Sequence, residues 1–308
     1  MKDGTLLKVE NLRIAFRVDG ARPEPVRGVS FEIPRRGRIA LVGESGCGKS
    51  LTSLAVGGLV ERAEISGRIE GEARIAYIFQ NPMQSLNPTM RTGKQIAENA
   101  VAAARRNGRG RSRRETDGTV ARLLESVGLP AGTAKKYPCE LSGGQQQRVM
   151  IAMALAAEPD LLIADEPTTA LDVTTQKEVL DLIDRLAKEN GMAVLLITHN
   201  LGLVARYSDY VNVMYAGQIV ESGPVAQTLS APRHPYTKGL LAAVPRLDAP
   251  KDAPLSDIRG TVPPPTAWPQ GCSFHPRCDF ALPECSAPDF KRCRFLDGSA
   301  ATKENSAG

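Results

Sequence analysis

Apolar residues form short runs along the first part of the chain, and each run is bounded by glycine, proline or charged residues. Runs of this length favour β-strands. They predict strands at residues 6–16, 26–33 and 38–42. Because the third run is followed directly by a glycine-rich loop, we expect that loop to open a helix at residues 49–59.

The next 140 residues or so alternate between strand-like and helix-like patterns. Continuous apolar runs predict three more strands, at residues 73–79, 160–167 and 192–199. Helical spacing predicts helices at residues 145–157 and 173–190, and a helical insertion from Gln95 to about Gly128. Strands that alternate with helices imply an α/β fold with a parallel sheet.

The regular pattern weakens after Gly223, and residues 249–270 are rich in proline. We therefore place a domain boundary near residue 230, which leaves a C-terminal extension at residues 231–308. The last residues, 298–308, are small and polar and are predicted to be disordered.

Composition narrows the choice of partners. The net charge of +5 comes from 39 basic and 34 acidic residues, which is too mixed to indicate a nucleic-acid-binding protein. The arginine-rich segment 105–114 has no aromatic residue for base stacking, so we expect a solvated loop and no nucleic-acid partner.

The longest apolar stretch, Val149–Ala157, is too short to cross a membrane. The N-terminus lacks the features of a secretory signal, so we expect a cytoplasmic protein.

Residues 43–50 fit the phosphate-binding pattern G-x-x-x-x-G-K-[ST], and they lie between a predicted strand and a predicted helix. Backbone N–H groups of such a loop wrap phosphates, its lysine reaches the β- and γ-phosphates, and its hydroxyl holds Mg²⁺. The predicted nucleotide-binding residues are Gly43, Glu44, Ser45, Gly46, Cys47, Gly48, Lys49 and Ser50, with Leu51 directly after them. Cys47 is interpreted as a space-filling residue, and redox sensitivity there is the alternative.

Three of the predicted strands end in polar side chains that could serve this site. Asp165 and Glu166 end an apolar strand, where Asp165 could hold Mg²⁺ and Glu166 could polarise the water that attacks the γ-phosphate. Gln80 and His199 follow two other strands. Taken singly, the acids could cap a strand at the surface and the histidine could be structural. The carboxyl ends of parallel strands meet at one edge of a sheet, so we expect the four side chains to converge there.

With the segment Leu141, Ser142, Gly143, Gly144 and Gln145, the LSGGQ signature, the chain resembles the ABC transporter ATPases over about residues 5–230. The order of the phosphate loop, Gln80, the signature, the acid pair, residues 170–172 and His199 is highly specific to that family. The resemblance implies a P-loop NTPase cassette that binds ATP and Mg²⁺. The cassette would have a parallel core sheet, an N-terminal antiparallel β portion and a helical subdomain at about 85–155, and a Cys-rich tail would follow it. The nucleotide-binding domain would span residues 1–230.

The resemblance also implies that hydrolysis needs a head-to-tail dimer. Ser142, Gly143 and Gly144 would contact the γ-phosphate of ATP held by the opposite subunit, and Asp172 would join the two sites. Ser142 precedes a predicted helix whose N-terminal amides favour an anion, which agrees with that role. Gln80 would serve catalysis and the Mg²⁺ site, and would contact the membrane subunits together with the helical segment after it. His199 would sense the γ-phosphate, and Phe16 is the candidate for stacking on adenine.

The extension resembles that of the oligopeptide and dipeptide importer ATPases, through residues 233–241 and 271–278. This implies an ATPase that powers import of di- or oligopeptides or related small solutes. It would work with a second ATPase subunit, with a heterodimer favoured, beneath two transmembrane permease subunits and an extracytoplasmic substrate-binding protein. It would lie peripherally on the cytoplasmic face of the inner membrane. Nickel, glutathione, an opine or an oligosaccharide is the alternative cargo, and a soluble non-transport ABC ATPase is the alternative class.

Four cysteines crowd into the extension, with the spacing C-x5-C-x6-C-x7-C, namely Cys272, Cys278, Cys285 and Cys293. This spacing is too wide for an ordinary zinc knuckle. Four thiolates do satisfy a [4Fe–4S] cluster, and some importer ATPases that the chain resembles are thought to carry one here. A cluster, a zinc site and free thiols all remain open.

Overall fold

The computed structural model describes residues 4–169, 171–244 and 257–297. Ala170, part of the proline-rich segment and the polar segment 298–308 lie outside these residues. The strands and helices are, in chain order, β1 Thr5–Ala15, β2 Val26–Pro34, β3 Arg38–Val42, α1 Lys49–Val56, β4 Glu64–Glu70, β5 Ile75–Ile78, α2 Pro82–Ser85, α3 Thr92–Arg106, α4 Arg113–Ser126, α5 Gly143–Ala156, β6 Leu161–Asp165, α6 Val173–Asn190, β7 Ala193–Thr198, α7 Leu201–Tyr207, β8 Tyr210–Tyr215, β9 Gln218–Pro224, α8 Val225–Ser230 and α9 Pro235–Ala242.

The described residues form two compact units. The first contains the described residues within 4–7, 33–38 and 71–197, and the second contains those within 8–32, 39–70 and 198–297.

The first unit contains parallel strands and the helical segment. Strand β6 pairs in parallel with both β5 and β7, with Leu161 opposite Ile75 and Ala193. Every residue of β6 is buried, as expected for a parallel strand covered on both faces. Helices α3, α4 and α5 share an apolar core that includes Ile96 and Leu124. The predictions of parallel pairing and of a helical insertion are thus confirmed.

Arg74 and Asp160, which directly precede β5 and β6, connect the starts of these two strands by hydrogen bonds. The Arg74 backbone N–H and Nε each lie 2.9 Å from Asp160 Oδ2, and Nη2 lies 2.8 Å from Oδ1. These hydrogen bonds from Arg74 lower the pKa of Asp160 to about 2. Because Tyr77 and Asp165 lie further along the same two strands, this pair aligns the strand ends that carry site residues.

The second unit contains the glycine-rich loop, the antiparallel strands and the extension. Strand β3 pairs in parallel with β8, and β8 pairs antiparallel with β9. Strand β1 pairs antiparallel with β4, which confirms the predicted antiparallel portion.

An aromatic cluster joins the extension to the strands of this unit. The Tyr236 ring centroid of α9 lies 4.6 Å from that of Tyr215 in β8. Phe274 lies 5.2 Å from Tyr215 and 5.3 Å from Tyr236. All three side chains are buried. The indole N–H of Trp268 donates to the Glu24 carbonyl oxygen at 3.0 Å, so residues of the extension pack directly on the strand-bearing part of the unit.

None of the helices in the described ranges combines the length and the apolar character that a bilayer-spanning segment requires.

Candidate active site

The predicted phosphate loop connects β3 to α1, as expected. Gly43 has φ 153°, and a Cβ atom there would lie 2.1 Å from the Met214 carbonyl oxygen. Gly48 has φ 93°, and a Cβ atom there would lie 2.6 Å from the Pro25 carbonyl oxygen. Both positions therefore require glycine. The first turn of a helix has N–H groups without intrahelical partners, and no side chain caps α1, so the loop leads into an amide-rich helix start.

Lys49 lies inside this loop with only 5% of its surface exposed. Its Nζ donates to the carbonyl oxygens of Gly43 at 2.8 Å and Glu44 at 2.9 Å. Ser50 is exposed, whereas Cys47 is fully buried. Burial raises the pKa of the Cys47 thiol, which favours the uncharged form that suits a space-filling role.

Glu44 is held by two residues that the sequence analysis did not single out. Arg277 forms an ion pair with the Glu44 carboxylate, and the Tyr236 hydroxyl accepts the Glu44 backbone N–H. Neither residue lies near the loop in sequence, since they are separated from it by 233 and 192 positions.

The acid pair lies at the end of β6 in the first unit. Asp165 is buried, and its Oδ2 accepts from the Tyr77 hydroxyl at 2.8 Å. Glu166 has φ 44°, a left-handed conformation that is strained for this residue type and often marks a functional position. Its Oε2 accepts from Gln80 Nε2 at 3.2 Å and from Thr169 Oγ1 at 2.8 Å. The structure therefore brings Gln80 and Glu166 together and adds two partners, Tyr77 and Thr169.

The signature segment forms the start of α5 through a capping box. Ser142 Oγ accepts the Gln145 backbone N–H at 3.3 Å, and Gln145 Oε1 accepts the Ser142 N–H at 3.1 Å. Leu141 is buried, whereas Ser142 and Gly143 are exposed. A Cβ atom at Gly144 would lie 2.9 Å from Thr175 Cγ2. A small, exposed helix start of this kind can present N–H groups to an anion.

Asp172 caps α6. Its Oδ1 accepts the backbone N–H groups of Thr174 at 3.1 Å and Thr175 at 3.0 Å, and its Oδ2 accepts from the Thr175 hydroxyl at 2.7 Å. The hydrogen bonds from Thr175 lower the pKa of Asp172, so this exposed side chain is a carboxylate at neutral pH.

His199 and Phe16 both belong to the second unit. His199 is exposed directly after β7. Phe16 follows β1, is half-buried, and its backbone N–H donates to the Pro23 carbonyl oxygen at 3.0 Å.

The four cysteines of the extension line one cavity of about 240 Å³. The Cys272 backbone N–H donates to the Cys285 carbonyl oxygen at 2.8 Å. Burial, with smaller contributions from the other three thiols, raises the pKa of Cys272 to about 11. Within the described ranges, no group of three or more His, Cys, Asp or Glu side chains is arranged to hold a metal ion. The structure therefore gives no direct support to bound zinc or iron.

Comparisons with known proteins identify the family of this chain. Residues 26–169 match the protein family described as "ABC transporter", and residues 220–285 match "Oligopeptide/dipeptide transporter, C-terminal region". A Brucella abortus protein named as a peptide import ATP-binding protein is 42% identical over 94% of this chain and 91% of its own. A Brucella ovis protein of the same description is 45% identical over 92% of this chain and 91% of its own.

Solved structures show the same fold. A dimeric ATP-binding cassette in a post-hydrolysis state with ADP and Pi superposes with a TM-score of 0.64, at 23% identity over 71% of this chain and 99% of that one. The cbiO1 protein of Clostridium perfringens, part of an ABC transporter complex, superposes with a TM-score of 0.63, at 27% identity over 74% of this chain and 92% of that one. The chain belongs to the ABC transporter family of ATP-binding proteins.

Proposed function

We propose that this protein is the ATP-hydrolysing subunit of an importer for di- or oligopeptides or related small solutes. The observation that carries the proposal is the succession of an ABC cassette and an oligopeptide/dipeptide transporter C-terminal region in one chain. Relatives that match more than nine-tenths of the chain are named for peptide import, which supports the same cargo class.

The residues of the candidate site suit binding and hydrolysis of Mg-ATP. We assign phosphate binding to the loop at residues 43–50 and Leu51, where Lys49 supplies a cation and the start of α1 supplies amides. Ser50, Gln80 and Asp165 are assigned to Mg²⁺, which supplies charge neutralisation on the phosphates when it is bound. Glu166 is assigned to the attacking water, because a carboxylate can orient the water and accept its proton. His199 is assigned to the γ-phosphate and Phe16 to the adenine.

The exposed signature is assigned to a second nucleotide, held by another ATPase subunit. Ser142 and Gly143 are exposed at the start of α5, and the exposed Asp172 caps the start of α6, which supports contact of both helix starts with another subunit. We propose a heterodimer of two ATPase subunits, beneath two permease subunits on the cytoplasmic face of the membrane, served by an extracytoplasmic binding protein. In this arrangement residues 1–230 form the motor domain and residues 231–308 form the extension.

Peptide uptake tests the cargo. In cells that lack this protein, uptake of labelled di- and oligopeptides is expected to fall to background, and the wild-type chain is expected to restore it. The Glu166→Gln chain, expressed at the same level, is expected not to restore uptake, because import requires hydrolysis. Normal peptide uptake without this protein, combined with lost uptake of nickel, glutathione, an opine or an oligosaccharide, would reassign the cargo. Normal uptake of every solute would favour a non-transport ATPase.

We also propose that the extension binds a [4Fe–4S] cluster. Four cysteines line one cavity, and a four-iron cluster takes one thiolate per iron, so its ligands need not converge on a single point as those of one ion must. A bound cluster would act as a structural clip in this segment, which has little apolar core of its own.

Anaerobically purified protein is expected to contain about four iron and four sulfide per chain and to absorb visible light. Cys278→Ser is expected to lose most of this iron. Cys139→Ser is the matched control, since Cys139 is exposed and lies outside the cavity. Zinc without sulfide would indicate a zinc site, and protein that contains neither metal would indicate free thiols.

A further inference from the structure

The extension contacts the phosphate loop through Arg277. This residue ends the short 3-10 turn His275–Arg277 and has a side chain that is only 5% exposed. Its Nη1 lies 2.8 Å from Glu44 Oε2 and its Nη2 lies 3.0 Å from Glu44 Oε1. This is a bidentate pair, the geometry that makes an arginine–carboxylate contact both strong and directional.

Arg277 is itself held in place by the extension. Its Nε donates to the Arg259 carbonyl oxygen at 2.6 Å, and its Nη2 also donates to the carbonyl oxygens of Ile258 at 3.1 Å and Gly260 at 3.2 Å. Its guanidinium lies 5.7 Å from the Tyr215 ring centroid. A guanidinium fixed on so many sides loses little further freedom when it pairs, in contrast to a mobile surface arginine.

Tyr236 holds the backbone of the same loop residue. Its hydroxyl oxygen accepts the Glu44 backbone N–H at 2.8 Å, and its ring is fully buried in the aromatic cluster with Tyr215 and Phe274. At the start of α9, His234 Nδ1 accepts the Tyr236 backbone N–H at 3.1 Å. The extension therefore forms hydrogen bonds with both the side chain and the main chain of Glu44.

The location of Glu44 gives these contacts a consequence for phosphate binding. Its carbonyl oxygen is one of the two that receive the Lys49 ammonium, so a shift of Glu44 would displace the cation that meets the phosphates. Its carboxylate is an anion in a loop that must accept a polyanion. The Glu44 side chain is 29% exposed, so without Arg277 its carboxylate would be an unpaired anion in the loop, and an anion there opposes the binding of negatively charged phosphates.

We propose that Arg277 and Tyr236 are positioning residues of the nucleotide site, which hold Glu44 so that the phosphate loop keeps its shape and its charge balance for ATP. The proposal rests on the assignment of residues 43–50 as the ATP-binding loop. Arg277 neutralises the Glu44 carboxylate, and Tyr236 fixes the peptide that leads into the loop. The extension is thereby a working part of the ATP site.

The test measures the Kd for ATP and the KM and kcat of hydrolysis, with the full-length chain in its assembled transporter. Arg277→Met is expected to raise both Kd and KM by about tenfold or more, because the uncompensated carboxylate opposes the phosphates before and during reaction alike. The kcat is expected to change much less, because an interaction made equally in the ground and transition states alters KM and leaves kcat. Arg277→Lys is expected to be intermediate, since lysine restores the charge without the bidentate geometry.

A second substitution that removes the Glu44 charge distinguishes two roles of Arg277, namely neutralisation of the Glu44 carboxylate and attachment of the extension to the loop. In Glu44→Gln/Arg277→Met no carboxylate remains to be neutralised, so most of the lost ATP affinity is expected to return. If Arg277 only fastens the extension, the double variant should be no better than Arg277→Met. The matched control is Arg259→Met, because the Arg259 side chain is 81% exposed and pairs with Asp279, and its ATP affinity is expected to equal that of the wild type.

Tyr236→Phe keeps the proposal testable if Arg277→Met does not fold. It retains the buried ring and removes only the hydroxyl that receives the Glu44 N–H, and a rise in the Kd for ATP of a few-fold is expected. Wild-type affinity in folded Arg277→Met or Tyr236→Phe protein, or no recovery in the double variant, overturns the proposal. Wild-type protein that does not bind ATP would instead overturn the assigned function of the loop.

Discussion

Replacing Glu166 with glutamine is expected to reduce ATP hydrolysis by about 100-fold or more while ATP stays bound, because a positioned general base contributes about 10²- to 10⁴-fold. Glutamine keeps the size of the side chain, and its amide oxygen can still accept from Gln80 and Thr169. It cannot accept a proton from the attacking water. Turnover of ATP and equilibrium ATP binding by the purified transporter are the two measurements.

Glu189→Gln is the matched control for this substitution. Glu189 lies on α6, is 53% exposed and pairs with Arg185, so the same chemical change is made away from the strand end. Its turnover is expected to match the wild type. Equal turnover in Glu166→Gln and the wild type would remove Glu166 from the mechanism, and loss of ATP binding in Glu166→Gln would reassign it to nucleotide binding.

Replacing Lys49 with alanine is expected to weaken ATP binding and to abolish most hydrolysis, whereas Glu166→Gln is expected to lose hydrolysis alone. Removal of one partner from a buried, hydrogen-bonded charge contact costs about 2 kcal/mol or more, which is about 30-fold in Kd. Lys49 is buried in the loop and donates to two loop carbonyl oxygens, so its loss removes a cation and loosens the loop at once. Titration with ATP in the presence of Mg²⁺ measures the effect.

Lys188→Ala provides the comparison for Lys49→Ala. Lys188 is 61% exposed and pairs with Asp184 four residues earlier on α6, so its loss is expected to leave ATP affinity unchanged. Unchanged affinity in Lys49→Ala would contradict the assignment of the loop, and weakened affinity in Lys188→Ala would point to a general loss of folded protein.

The elements that the sequence predicted well are those with a strong local pattern. Strand β6 is a continuous buried run, and α6 has helical periodicity from its Asp172 cap to Gly191 at its end. Strand β4 was missed because most of its residues are exposed and it contains a glycine at φ 95°, so it has no apolar run to detect. Its position is decided by pairing with β1, which is a long-range property.

The same distinction applies to the site. Gln80 and Glu166 follow separate strands, and parallel pairing of β5 with β6 is enough to bring them within hydrogen-bond distance. Tyr77 could have been found in the same way, because it lies opposite Ile163, two residues before Asp165. Arg277 could not, since it contacts Glu44 from an irregular segment whose path no local periodicity encodes.

The contacts of Arg277 and Tyr236 with Glu44 limit which extensions could be joined to this cassette in a chimeric protein. A cassette that is shortened before residue 257 would keep the phosphate loop and lose the arginine that balances its acid. A chimera that takes its extension from another protein would preserve the site only if the residues at positions 44 and 277 were exchanged as a pair. Positions 44 and 277 would then have to change together, although one lies in the cassette and the other in the extension.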